Sequence, residues 1–411
     1  MFKNKNKLLM SLIICSLGAI FYCYEYYLRV IPSVLRPELK LLHNIGEAGF
    51  GFLVALYYWA YVPLQLPAGF FMDLWGPRKV LTSASLLCAA GTYFFVSDNL
   101  LIAEIGRFLV GFGSAFAYVG VLKLSNLWLP KKLFAFMAGF CSTLGMLGAM
   151  GGQCIIPKLS AIMNWQTALY ISAVIGLVLA LVLWLVIKNY EYKPPILSIK
   201  KHSLWQELLE IMKYKDLWLN GVIGCLMFAA LSVFAETWSV SFFIASGLSE
   251  QLAVTASSMV FLGFGVGAPI WGILSDVIFS RKIPLMLGSI ISAILIFIIL
   301  YIPMSSLWLN IYMFLFGLFV SAEVLIFAAI NDVCHEEISA TAVGCVNMLV
   351  MVGGLALQPG VGVILDNLAY RYSFPEIMNF RIALALLPVG LILSAILSAF
   401  LKNGMKFAHL K

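Results

Sequence analysis

Four glutamates and two arginines stand in stretches too apolar to hold charge cheaply: Glu25 with Arg29, Glu104 with Arg107, Glu236, and Glu323. An ionised side chain at the centre of a membrane helix costs about 2.5–3.5 kcal/mol, so such groups face a partner, a proton or a polar path. Glu25 and Arg29 are four apart, hence on one helical face, and either neutralise each other or offer both signs to a solute. Glu104 and Arg107 are three apart near the end of their run, a spacing that suits a rim salt bridge for Glu104, whereas Arg107 lies deeper. Glu236 and Glu323 have no basic neighbour in their own runs, so each calls for a partner from elsewhere, a proton, or a substrate amine. The chemistry indicated is reversible proton binding and recognition of a charged solute, assigned to Glu25, Arg29, Arg107, Glu236 and Glu323. Around them, Tyr24, Tyr58, Tyr118 and Trp238 could line a polar path or serve as interfacial belt residues. Gln153 and Gln358 could bind a solute or bond one helix to another.

The elements that must position these groups follow from composition. The 411 residues are 62% hydrophobic and only 11% charged, which excludes an ordinary soluble protein. Twelve apolar runs, near 8–34, 48–71, 79–97, 100–122, 134–156, 166–188, 218–245, 252–275, 284–302, 308–330, 339–365 and 381–402, are each long enough to span a bilayer. The first is too long for a secretory signal and continues into an aromatic, charged segment without a small-residue cleavage site, so it reads as a retained span. Spans 1, 4, 7 and 10 carry the internal charges. Nineteen of the 26 basic residues fall on the side that would hold both termini; by the positive-inside rule the termini are expected in the cytoplasm. The net charge of +7 forms no single basic face, so no nucleic-acid partner is expected. The eight cysteines form no CxxC or Cys–His cluster and the four histidines lie in loops or tails, so no metal and no cofactor is expected.

The polar stretch between spans 6 and 7 divides the chain into an N-terminal six-helix bundle (1–188), a linker (189–217) and a C-terminal six-helix bundle (218–411). Within the linker, Ser203 and Gln206 have capping-box spacing ahead of Leu204, Trp205, Leu208, Leu209 and Met212, which predicts a short amphipathic helix on the membrane surface. The halves echo each other. GFFMDLWGPRK at 69–79 returns as GILSDVIFSRK at 272–282, with Gly69, Asp73, Arg78 and Lys79 matching Gly272, Asp276, Arg281 and Lys282 at one offset. Phe279 stands where the first copy has its middle glycine, Gly76. Gly148 and Gln153 likewise match Gly353 and Gln358. Such repetition suggests a transporter made of two parallel repeats.

These residues resemble the major facilitator superfamily over nearly the whole chain. GFFMDLWGPRK is similar to that family's loop between spans 2 and 3, and Arg107-Phe-Leu-Val-Gly111-Phe-Gly113 to its span 4 signature. The span 5 glycines Gly145, Gly148, Gly151 and Gly152 lack the proline of the antiporter signature, which argues against drug–proton antiport. Span 1, Phe21 to Arg29 continuing to Pro32-Ser33, also resembles the phagosomal-transporter branch that takes up amino acids and nucleosides in intracellular bacteria. The resemblance implies an all-α membrane protein of twelve helices in two pseudo-symmetric bundles around a central cavity lined by helices 1, 4, 7 and 10. It also implies a conformational latch formed by Gly69, Asp73, Gly76, Arg78, Lys79, Asp276 and Arg281.

The expected function is secondary, alternating-access transport of a small polar organic solute, best an amino acid or similar zwitterion, taken up with protons by a monomer in the bacterial inner membrane. No nucleotide-binding loop is present, and no covalent catalysis is expected. The same-class alternative is an exporter of an amphipathic metabolite, drug or siderophore. An integral-membrane enzyme or receptor is the alternative of a different class.

Overall fold

The computed structural model describes residues 2–188, 211–334 and 336–402. Among them all regular structure is helical, as expected where lipid offers the backbone no hydrogen-bond partner. Ten helices are long and apolar enough to cross a membrane, and an eleventh span is made if Arg36–His43 and Glu47–Leu64, bent by 110°, are counted together. The remaining apolar run, 79–97, lies in the later part of the helix Ala68–Phe95, which changes direction at Gly76. The run read as one span over 48–71 is interrupted. The helix Glu47–Leu64 ends in a turn after Pro63, and the chain resumes as Ala68–Phe95 after Pro67. Each proline removes an N–H from the ladder, which is the local cause of the break. Of the surface helix expected from Ser203 to Met212, residues 203–210 lie outside the described residues.

The chain resolves into two compact units. One groups Met1–Ile45 with Leu53–Ser198, the other Gly46–Phe52 with Ile199–Lys411. Helix pairing repeats between them. In the first unit span 1 (Phe2–Val30) packs on span 5 (Lys131–Ile162), and span 3 on span 6 (Trp165–Val186). In the second, span 7 packs on span 11 (Glu336–Arg371), and span 9 (Lys282–Tyr301) on span 12 (Leu386–Ser398). The short segment Gly46–Phe52 is held in the second unit by Asp366 of span 11. Its carboxylate accepts the backbone N–H groups of Glu47 at 2.9 Å and Ala48 at 2.8 Å. These are two of the donors that the start of any helix leaves unmet.

Three charge-bearing spans are not regular α-helices. Span 4 is broken between Leu100–Ser114 and Ala117–Trp128. Span 7 passes through a π-helix, Ala230–Trp238, and span 10 through a 3₁₀ turn, Ser321–Val324. Irregular backbone of this kind recurs at functional sites, because it frees backbone groups and re-aims side chains.

Candidate functional site

In the first unit the buried charges form one connected cluster. Glu25 and Arg29 of span 1 are 0% and 1% exposed and pair at 3.3 Å, as their one-turn spacing allows. Tyr57 of span 2 completes the pair: its hydroxyl donates to Glu25 Oε2 at 2.9 Å and accepts from Arg29 Nε and Nη2 at 3.1 and 2.8 Å. The Arg29 guanidinium also lies 4.0 Å over the Tyr26 ring, and Tyr61 stacks on Tyr57. Close packing brings Tyr57 there. A Cβ on Gly111 of span 4 would sit 2.1 Å from the Tyr57 carbonyl oxygen, so only glycine permits this approach.

Arg107, one turn before Gly111, binds backbone. It donates to the carbonyls of Leu28 at 3.0 Å, Arg29 at 2.6 Å and Val54 at 3.4 Å. It thus ties span 4 to spans 1 and 2 at the level of the Glu25–Arg29 pair. The rim salt bridge expected between Glu104 and Arg107 is not formed, and among the described residues Glu104 joins no ion pair. The three-residue spacing allowed the contact, but the Arg107 side chain is drawn inward to carbonyls freed near the end of span 1.

The second unit is built differently. Glu236, 2% exposed, lies within the π-helix. Gln358 of span 11 braces that segment, its side-chain amide donating to the Ser232 carbonyl at 3.0 Å while its main-chain carbonyl accepts from the Trp238 indole at 3.3 Å. Glu323, 4% exposed, lies in the 3₁₀ turn of span 10. Among the described residues its carboxyl has neither a hydrogen bond nor an ion pair. A buried carboxylate with no partner is costly in an apolar interior, so the group is suited to hold a proton or receive a cation.

The other expected site residues divide by location. Tyr24 donates to the Ser172 carbonyl at 2.9 Å and so serves the seam of spans 1 and 6. Gln153 reaches Ser33 at 3.4 Å. Tyr58 is fully buried with its ring against Tyr57, and Tyr118 packs on Tyr22.

In the first signature loop Asp73 pairs with Lys123 at 2.5 Å, lining with Gly69 and Met72 a recess of about 560 Å³. Arg78 turns to the Trp184 carbonyl at 2.8 Å and lies over that indole ring, while Lys79 is exposed. In the second loop Arg281 bridges Asp276 at 2.6 Å and Asp332 at 3.2 Å. Gly76 takes φ 78° and Phe279 φ 52°, so both loops turn through positive φ at the same place in the repeat.

Sequence reasoning passed over Tyr57, Lys123 and Asp332 as partners. Tyr57 stood in a row of four aromatics near 57–61 with nothing local to distinguish it. Its one signal is the glycine that faces it from span 4, and a single sequence does not say which helix a glycine faces.

A sequence model of the Major Facilitator Superfamily matches residues 10–357 and 226–403. The lysosomal dipeptide transporter MFSD1 of Homo sapiens is 24% identical over 387 residues, covering 89% of this chain and 82% of its own. The probable galactarate/D-glucarate transporter GudP of Escherichia coli (strain K12) is 22% identical, with 84% of each chain covered. In three dimensions the chain is similar to a bacterial homolog of the human lysosomal transporter Spinster. The TM-score is 0.77 at 14% identity, over 97% of this chain and 99% of that one.

Proposed function

The chain belongs to the major facilitator superfamily, and from that premise we propose that it is a proton-coupled importer of small zwitterionic solutes, amino acids or dipeptides. The observation that carries this reading is Glu323, a carboxyl 4% exposed without a hydrogen-bond or ion-pair partner among the described residues. It takes the proton, or the solute's amine. Arg29 receives the solute's carboxylate in exchange for Glu25, and Glu25 released in this way is the second proton acceptor. In the second unit, Glu236 within the π-helix of span 7 is a further candidate for proton or amine binding. Arg107, spent on three carbonyls, holds the backbone on which that exchange takes place. The dipeptide transport named for the human relative supports a solute of this class. A doubly anionic sugar acid fits less well, because Arg29 offers one guanidinium for two carboxylates and Arg107 is held by backbone carbonyls.

The two signature loops act as conformational latches, Asp73 and Asp276 exchanging basic partners as transport proceeds. The protein works as a monomer in a bacterial inner membrane with both termini in the cytoplasm, the orientation its lysines favour.

Uptake of radiolabelled amino acids and dipeptides into proteoliposomes, with and without an inward proton gradient, tests the proposal. Wild-type protein should accumulate solute only with the gradient. Glu323→Gln should still exchange labelled for unlabelled solute but lose accumulation. Absence of uptake or competition by any amino acid or dipeptide rejects the substrate class, and full accumulation by Glu323→Gln rejects the coupling assignment.

A further inference from the structure

Spans 9 and 12 of the second unit enclose a furrow on their outer surface, of about 730 Å³, lined by eleven residues that are all apolar. Its floor is small: Ala293 and Ala395 are 4% and 5% exposed. Its walls are branched and stand free, with Ile294 and Ile396 each 54% exposed. On span 9 the lining runs from Met286 to Phe297. Those eleven steps make about 16 Å at 1.5 Å rise per residue, close to half the roughly 30 Å hydrocarbon thickness of a bilayer. The furrow is therefore as deep as one leaflet.

One end is cationic. Lys282 lies one turn before Met286 on the same face of span 9, and Lys402 lies two residues past Phe400, where the lining that follows span 12 ends. Span 9 runs away from this end and span 12 toward it, so both ammonium groups mark the same membrane surface. Lys402 spends one of its three donors on Asp216 at 2.9 Å and is 72% exposed. Among the described residues the Lys282 side chain has no hydrogen bond or ion pair, whereas its neighbour Arg281 is committed to Asp276 and Asp332. An apolar channel one leaflet deep, ending at two available cations, has the chemical form of one lipid chain below one anionic headgroup.

We propose that this furrow seats an acyl chain of an anionic phospholipid, its phosphate held between Lys282 and Lys402, and that the bound lipid ties span 9 to span 12. The test uses the full chain purified from mixed micelles containing phosphatidylglycerol and phosphatidylcholine in equal amounts, with retained lipid read by native mass spectrometry. Phosphatidylglycerol should be retained in preference. Lys282→Gln and Lys402→Gln should each weaken its retention by about five-fold, the effect of one basic side chain at an anionic surface. Ala399→Trp, an exposed position that fills the furrow without touching the core, should lower retention with both lysines intact. Equal retention of the two lipids overturns the proposal, as does unchanged phosphatidylglycerol retention in the paired lysine variant or in Ala399→Trp.

Discussion

Tyr57 shows how much one hydroxyl can decide. It is the shared member of the Glu25–Arg29 pair, giving one hydrogen bond and receiving two. Removing one partner of a buried ion pair leaves an uncompensated charge, so Arg29→Gln should destabilise the folded protein by about 3–5 kcal/mol. Glu25→Gln combined with Arg29→Gln should cost less than that single change, because no net charge is left behind. Tyr57→Phe should cost about 1–3 kcal/mol by orphaning its partners. Thermal unfolding in detergent micelles measures all three, and a double variant no more stable than Arg29→Gln would show that the pair does not act as a unit. The residues were legible to different degrees. A glutamate and an arginine one turn apart in an apolar run announce a pair. That Arg107 reaches for carbonyls is set by where the end of span 1 lies in space, and nothing in span 4 itself records it.

At the level of elements, the duplicated loop carries its own internal control. Gly76, with φ 78° and ψ 152°, occupies a region open essentially to glycine alone. Beyond its own local backbone and chain neighbours, no atom lies within 4 Å of where its Cβ would be. Gly76→Ala should therefore cost about 1–3 kcal/mol through backbone strain, with no clash against the rest of the protein. In the second copy the same turn is made by Phe279. The Ser280 N–H closes onto the Ser275 carbonyl at 3.1 Å and the Phe279 N–H onto Asp276 at 3.3 Å, a helix stop that ordinarily places glycine at the left-handed position. Phe279→Gly should accordingly stabilise the protein by about 0.5–1 kcal/mol, and a loss of stability in the same melting assay would refute the strain. The twelve apolar runs could be read from hydropathy alone, since lipid enforces helix wherever such a run occurs. The breaks in spans 4, 7 and 10 could not, because π and 3₁₀ segments arise from packing against neighbours such as Gln358 and leave no periodic trace.

For the molecule as a whole, the two units repeat their helix pairings yet differ in electrostatic character. The first encloses an ion-pair cluster around Arg29, and the second holds Glu323, without a partner among the described residues, in an irregular turn. That contrast predicts uneven backbone dynamics. In the full chain, amide exchange followed by mass spectrometry should be faster across Ser321–Val324 than across residues 21–29 of span 1, and equal protection would contradict it. The 203-residue repeat points to two similar halves but says nothing of how their charges differ, because a repeat can keep the frame while the charges diverge. One contact has a bearing on how the chain is made. The N–H groups of Glu47 and Ala48 await a carboxylate at position 366. At roughly 5–20 residues per second on the ribosome, that partner emerges about a quarter of a minute to a minute later. Until then the start of the second span must borrow water or lipid headgroups, because the segment Gly46–Phe52 is made well before the carboxylate that holds it.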